Sequence, residues 1–367
     1  MTTPATPAVV IVGGGPVGLL AGLCADAAGL SFRLYERDRE PRMHSRAIGI
    51  HPPSLRLIAS LDEELAHRLV IEGIRIRRGH GMAGPGRPIG SLDFAVLEPP
   101  FDFVLTLPQW RTERLLEEAL CRRAPGAVRR GVEVSGPADE LNASFVLACD
   151  GRDSRMRTGA GIAVEGAAYP VHYLMGDFPT NGWPEDPAQR DDAFLFLTPE
   201  GLVESFPVDA GVRRWVAEAG VATQLAPLVE ARCGVRLEAA SARMTSTFQP
   251  EHRVAARFRA GNLILCGDAA HVVSPIGGQG MNLGWLNAAD AVATVARVLA
   301  GQEPTRLFRG FERRATRRAR RARRRGEQNM FLANRTRLPG LRALALRIAL
   351  RTPLHRTFAR RFTMHGL

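Results

Sequence analysis

A buried strand that runs directly into a glycine-spaced turn leaves a chain few ways to fold, and residues 8–18 contain one. The run AVVIV over 8–12 is continuous and β-branched, the pattern of a parallel strand covered on both faces. Gly13, Gly15 and Gly18 follow as G-x-G-x-x-G around Pro16 and Val17; Leu19 to Ala28 then reads as a helix, and Ser31 to Tyr35 as a second strand that ends at Glu36. The result is a βαβ unit. In such units the first glycine permits the tight turn, the second lets backbone approach a pyrophosphate, and the third allows the helix to pack closely. The helix amino terminus stabilises the negative charge. Glu36, with Arg37 beside it, is placed to accept hydrogen bonds from adenosine ribose hydroxyls. The motif alone does not choose between FAD and NAD, because both carry the adenosine diphosphate half that it reads.

The α/β alternation continues. Helical spacing recurs over Arg56–Ile71 and Thr112–Arg123, Ser144–Cys149 returns to a short apolar strand, and Asn262–Cys266 is the last buried strand before a helix over Met281–Leu299. Between these lie different patterns. Residues 79–100 are rich in Gly and Pro with a weak strand at Asp93–Leu97, and Ala193–Ala219 alternates as strands about a turn at Pro199–Gly201. We therefore expect an α/β protein with a Rossmann-like nucleotide domain of the glutathione-reductase type over 1–78, 99–165 and 251–328. An inserted β-sheet substrate domain over 79–98 and 166–250, and a C-terminal helical region over 329–367, complete the expectation. No internal repeat is visible.

Composition narrows the function classes. With 367 residues, two domains with ample core are expected. The stretch Ala8–Ala25 has no basic residue before it and is broken by three consecutive glycines, so export is not expected and a cytoplasmic protein is. Arg347 and Arg351 interrupt the apolar C-terminal stretch, which argues against a membrane span. Five scattered cysteines without a CxxC predict reduced thiols. All 49 basic residues are arginine, so the net charge of +12 reflects compositional bias and no lysine amine is available to any mechanism. Nine arginines between Arg313 and Arg325, and the basic amphipathic stretch Leu338–Phe362, motivate a non-enzymatic alternative, a nucleic-acid or membrane-surface binder. Glu312, Glu327 and the interspersed alanines favour a solvated helix instead, and no nucleic-acid partner is expected.

A second motif is decisive. Residues 263–282, LILCGDAAHVVSPIGGQGMN, resemble the ribityl-binding motif of the class A flavoprotein monooxygenases, the FAD-dependent aromatic hydroxylases similar to p-hydroxybenzoate hydroxylase. By that resemblance Gly267 and Asp268 meet the ribityl chain and Pro275 lies beside the isoalloxazine. Gly277, Gly278 and Gly280 leave amides bare at a helix start, so amides from Gly280 through Met281 to Asn282 suit the negative charge of reduced flavin. His271 reads as structural. Cys149–Arg157 resembles the family's DG motif, with Asp150 and Arg157 as the matches that matter; Arg46, in Ser45-Arg46-Ala47, and Gln109, with Arg111 a weaker third, match flavin-contacting positions. Departures from the family are a short segment between Arg130 and Cys149, where a longer β-meander is usual, and the absence of a thioredoxin-like domain.

The resemblance implies FAD as bound cofactor, NADPH or NADH as transient electron donor, and dioxygen with an aromatic, phenolic or polyketide-like substrate hydroxylated through a flavin hydroperoxide. Epoxidation, Baeyer–Villiger-type ketone oxygenation and FAD-dependent reduction are alternatives on the same fold, and a monomer or homodimer is expected. For the substrate pocket the inserted strands offer Phe194, Phe196, Phe206 and Trp215, joined by Pro275 and Gly277. His172, Tyr173 and Arg214 are the catalytic candidates, with Arg213 and Arg214 otherwise solvated. No metal is expected.

Overall fold

The computed structural model describes residues 6–41, 47–220, 223–274, 276–333 and 339–366. Strand β1 (Val9–Val12) leads through the glycine turn to helix α1 (Pro16–Ala27) and strand β2 (Phe32–Glu36). β1 lies inside a six-stranded sheet, between β2 and the strand Phe145–Ala148. Val128–Arg130 extends the sheet beyond β2, and Leu263–Leu265 extends it on the other side. All these pairings are parallel; only the edge strand Arg259–Ala260 runs antiparallel. Every residue of β1 and of Phe145–Ala148 is buried, as continuous apolar runs in the middle of a covered parallel sheet should be.

Three helices cover this sheet, and small residues set how closely they approach. A Cβ on Gly22 of α1 would stand 2.7 Å from Leu120 in the helix Gln109–Arg123, and one on Gly284 would stand 2.6 Å from Val17. Gly284 belongs to the helix Gln279–Leu299, whose Trp285 donates its indole N–H to the Pro16 carbonyl at 2.8 Å. The single helix expected over Arg56–Ile71 is two, Pro52–Leu61 and Glu63–Glu72. Asp62 takes an extended conformation between them and caps the second by accepting from the Leu65 amide, a local hydrogen bond that outcompetes helix continuation.

The second layer is a seven-stranded sheet assembled from Arg78–Met82, Pro88–Asp93 and five strands between His172 and Phe248. The weak strand expected at Asp93–Leu97 is a turn of 3-10 helix, Phe94–Val96, because the Asp93 carboxylate accepts from the Ala95 amide; the strand precedes it. Two small antiparallel sheets, one of Gly49–Ile50, Val104–Thr106 and Ile74–Ile76, the other of Val164–Ala168, Glu251–Ala255 and His271–Val272, flank these layers. Arg213 and Arg214, for which a solvated position was the alternative to a role in the pocket, are buried. Arg213 donates to the Ser205 hydroxyl and to the carbonyls of Arg190 and Asp192, so its charge is dispersed over polar partners.

At the C-terminus the helix Pro304–Ala333 runs uninterrupted through position 328, where a boundary was expected. Its arginine run is amphipathic: Phe308, Phe311, Ala315, Ala319 and Ala322 are buried, while Arg314 and Arg318 both pair with Asp290. The last two helices, Pro339–Arg351 and Leu354–Phe362, lie along the seven-stranded sheet. Arg342 donates to the Leu197 carbonyl at 2.6 Å, and Arg347 to that of Pro88 at 3.0 Å. Among the described residues no helix is long and apolar enough to cross a membrane. The five cysteines are free thiols.

Replacing Trp285 by Phe removes one buried hydrogen bond and part of the contact between the two helices, and is expected to cost about 2 kcal/mol. Urea unfolding checks it; a loss too small to measure would show that the indole does not hold α1 in place.

Candidate functional site

Between the two main sheets lies a cavity of about 1190 Å³. Its two ends have different chemistry.

At one end the wall is the glycine turn. Gly13 has φ +105°, and a Cβ there would stand 2.4 Å from the Cys149 carbonyl oxygen; one on Gly18 would stand 1.9 Å from the Gly13 oxygen. Gly15, in contrast, meets nothing within 4 Å. It faces the open cavity and caps α1, whose amino end has Pro16 first and no side chain closing it. Gly13, Gly15, Pro16, Val17, Glu36 and Arg37 all line the cavity, whereas Gly18 lies behind it as packing. Glu36 is fixed by the Gly14 amide at 2.5 Å and the Asp38 amide at 2.8 Å. Arg130, which sequence reasoning missed, lines the same end and is held bidentately by Glu117.

The middle of the cavity is built from two loops after adjacent parallel strands. Asp150 accepts from the Met156 amide at 3.1 Å through one oxygen, while its other oxygen is buried without a partner. Arg157 does not reach the cavity wall; it donates to the carbonyls of Arg152 and Ala269, which ties this loop to the turn Gly267–Ala269. That turn needs φ +60° at Gly267, and Val17 lies 3.0 Å from where a Cβ would be. Asp268 is ringed by protein, yet its own surface opens onto the cavity. Burial pushes its carboxyl up to about 6, against the pull of Arg152.

The glycine-rich turn 276–280 forms the next stretch of wall. Gly278, at φ +63°, precedes the helix Gln279–Leu299, which has no side-chain cap, and Gly277, Gly278, Gly280 and Met281 line the cavity. Asn282 stands behind them, fully buried: it accepts from the His51 amide at 2.8 Å and donates to the carbonyls of Gly49 and Gly278, both at 2.9 Å. His51, another residue without a sequence signal, sits on the wall with its Nε2 on the Gly277 carbonyl at 2.9 Å. Burial lowers its pKa to about 4, so the ring is neutral and Nε2 is the donor. His271, also neutral for the same reason, is buried against Asn287, as a structural residue. Gln109 lines the cavity and donates to Glu113; Arg111 is held by Glu72 and does not line it. Arg46 and Pro275 lie outside the described residues.

The other end is apolar and comes from the seven-stranded sheet and the C-terminal helices. Strand alternation decides which side chains face it. Leu195 and Leu197 face the cavity, so Phe194 and Phe196 do not; they pack with Trp183 and Trp215 against the helix Leu225–Cys233 on the opposite face. Of the aromatic pocket residues expected, Phe206 alone lines the cavity, with Met175, Leu202 and Val216 around it. His172 is not on the wall. Tyr173 is fully buried in the cluster of Met175, Leu202, Val216 and Ile276, stacked on Phe248, and burial raises its phenol. Arg214 does reach the cavity, but Asp177 holds it bidentately at 2.7 and 2.8 Å, so it presents a neutralised pair rather than a free cation. Glu204 also lines this end; it is buried, and burial alone pushes its carboxyl up to about 7. Its face was legible from the alternation L-V-E-S-F, which aligns it with Leu202 and Phe206. Leu346, Leu350, Phe358 and Phe362 close the chamber from the C-terminal helices.

Comparison with known proteins agrees with this arrangement. A family model described as FAD binding domain matches residues 6–326. The chain is 29% identical over 330 residues to an uncharacterized aromatic compound monooxygenase of Bacillus subtilis, covering 82% of this chain and 64% of that protein. It is 30% identical over 330 residues to a rifampicin monooxygenase of Streptomyces venezuelae, covering 82% and 66%. It thus spans just under two thirds of the length of those relatives. The structure of p-nitrophenol 4-monooxygenase from Pseudomonas putida superposes with a TM-score of 0.84 at 21% identity, covering 98% of each chain, and so shares the fold.

Two measurements test the site. Gly18→Ala forces a Cβ into backbone and is expected to destabilise the protein by about 3 kcal/mol or more, whereas Gly15→Ala leaves the melting temperature without cofactor unchanged and weakens FAD uptake; equal effects of the two on stability would refute this division. Glu204→Gln is expected to be more stable than the parent by about 1 to 3 kcal/mol above pH 8, with the difference vanishing below about pH 4. The raised carboxyl has no ionisation cost below the ordinary glutamate range and its full cost above about 7. A pH-independent difference would show that Glu204 ionises normally.

Proposed function

This chain belongs to the FAD-binding-domain family of class A flavoprotein monooxygenases, and on that premise we propose that it uses NADPH or NADH and dioxygen to hydroxylate an aromatic small molecule. One observation carries the reading: a single cavity joins a dinucleotide-binding turn to an apolar chamber large enough for a ring system.

The residues present fit FAD. Gly15 and the uncapped start of α1 offer open amides to a pyrophosphate, Glu36 is pre-positioned for ribose hydroxyls, and Asp268 faces the cavity with a carboxyl ready to accept or donate. The orphaned buried oxygen of Asp150 is a polar atom that awaits a donor. The uncapped helix start after Gly278 would meet the electron-rich edge of the isoalloxazine, its amides fixed by Asn282. Bound there, the flavin supplies electron transfer from the nicotinamide to dioxygen and delivery of one oxygen atom.

The protein's own contribution is shape, dryness and polarity. Leu195, Leu197, Val216, Leu346 and Phe362 exclude water from the chamber. The neutral His51 holds the Gly277 carbonyl and hence the turn that would face the ring. The Arg214–Asp177 pair keeps positive charge out of solution without offering a free cation, which supports an uncharged aromatic substrate over a carboxylated one.

The test is the absorbance of the FAD-loaded protein during NADPH or NADH addition in air, with phenols and polycyclic aromatics supplied in turn. Acceleration of reductant oxidation by one compound, with a ring product one oxygen heavier, is the expected outcome. An oxygen inserted at an alkene or beside a ketone would assign epoxidation or ketone oxygenation, and hydrogenation without oxygen uptake a reductase. A protein that takes up no flavin would sink the reading.

A further inference from the structure

The apolar end of the cavity contains one carboxyl whose environment the fold gives no evident structural use. Glu204 sits in the middle strand of three, opposite Leu195 on one neighbour and Val216 on the other, with Leu202 and Phe206 two residues away on its own face. Leu202, Val216 and Met175 pack in one cluster with Ile276, the residue before the Gly277–Gly278 turn, so Glu204 lies one alternation from the wall on which the ring is expected. It is 4% exposed, lines the cavity, and has no hydrogen bond or ion pair among the described residues. An unpaired carboxyl buried among leucines costs stability. Its place on the cavity wall without a partner points to a polar group that arrives with the ligand.

We propose that Glu204 is the recognition group for a hydroxyl on an aromatic ring, accepting its hydrogen bond on binding and its proton in the reactive complex. The inference rests on the hydroxylase reading and adds the substrate class: neutral hydroxyarenes. In the transfer the substrate O–H bond breaks, the proton bonds to a Glu204 carboxylate oxygen, and the electron pair stays on the aromatic oxygen. No electron is exchanged with any other group, and the total charge of the pair is unchanged.

A carboxyl displaced to about 7 is close enough to a phenol in proton affinity for the transfer to run in both directions. The charged groups around it do not supply the same function. Arg214 is occupied by Asp177, Arg342 and Arg347 donate to carbonyls of the sheet, and Arg361 lies on the final helix. The Tyr173 phenol is held protonated by burial with Glu218 and Glu204 near it, and His51 is engaged with Gly277.

The experiment measures binding alone. FAD-loaded protein is titrated between pH 5 and pH 9 with 1-naphthol and with 1-methoxynaphthalene, which has the same ring and no hydroxyl proton, and the flavin absorbance change gives each Kd. The parent is expected to prefer the naphthol by about ten-fold or more above pH 8, with a smaller preference below pH 6, the size of a hydrogen bond to a charged acceptor. Glu204→Leu loses the preference and Glu204→Gln keeps a small, pH-independent one; both should match the parent in flavin content. A parent that binds ether and naphthol alike, or binds neither, overturns the proposal, as does Glu204→Leu with the parent's preference and pH profile. The hydroxylase reading is decided separately: a naphthol preference that depends on Glu204, together with no oxygenated product from any arene, would leave this assignment standing and remove that one.

Discussion

The contact on which the rest of the structure depends is the close approach that Gly13 and Gly18 allow to backbone and Gly267 allows to the Val17 side chain. A methyl group at Gly18 would overlap the Gly13 carbonyl, and one at Gly267 or at Gly284 would press on Val17. Two motifs roughly 250 residues apart in sequence therefore meet through missing side chains rather than through attractive ones. The Trp285 indole on the Pro16 carbonyl fixes the spacing. Once these elements are in place, the amino ends of two helices open onto the same cavity, and the Asp150 and Asp268 loops fall between them.

The same cavity is polar along one wall and apolar along the other, and the boundary follows the domain that supplies each wall. Loops after parallel strands carry fixed carboxylates and bare amides, as expected where strand ends meet a ligand in α/β folds. Strands of the second sheet contribute side chains by alternation, so each carries its polar exception in isolation: Arg214 neutralised by Asp177, Glu204 among leucines. In a low-dielectric chamber such isolated groups interact strongly with whatever enters.

What the sequence made legible was set by how local the physics is. The glycine turn, the Gly267–Asn282 segment and the parallel strands are specified by residues within a few positions of one another, and the structure lines the cavity with most of them. Phe194, Phe196 and Trp215 were assigned to the pocket by their chemistry, although period-two alternation puts Leu195 and Val216 on the opposite face from them; which face the cavity takes is decided by the packing of the helix Leu225–Cys233 on the aromatic side. Asp62 divides a helix whose apolar spacing continues through it, because a cap is a hydrogen bond and periodicity does not register it. The final helices were expected from the sequence, but their docking on the second sheet and the place of His51 had no signal, since both depend on contacts more than 200 residues distant, to Pro88 and to Gly277.

Of the two C-terminal helices, Pro339–Arg351 is attached to the second sheet by arginines donating to carbonyls, Arg342 to Leu197 and Thr198 and Arg347 to Pro88 and Ile89, whereas Leu354–Phe362 packs Ala359 and Phe362 against Ile76, Phe94 and Val104. Main-chain oxygens are present whatever the side chains are. The polar part of the seam therefore places few demands on the side chains of the strands beneath it, whereas Leu350 packs so closely on Gly90 that a Cβ there would stand 3.1 Å from it. On the proposed reading, the side chains that would select the ring and the glycine turns that would hold the flavin lie in separate stretches of the polypeptide.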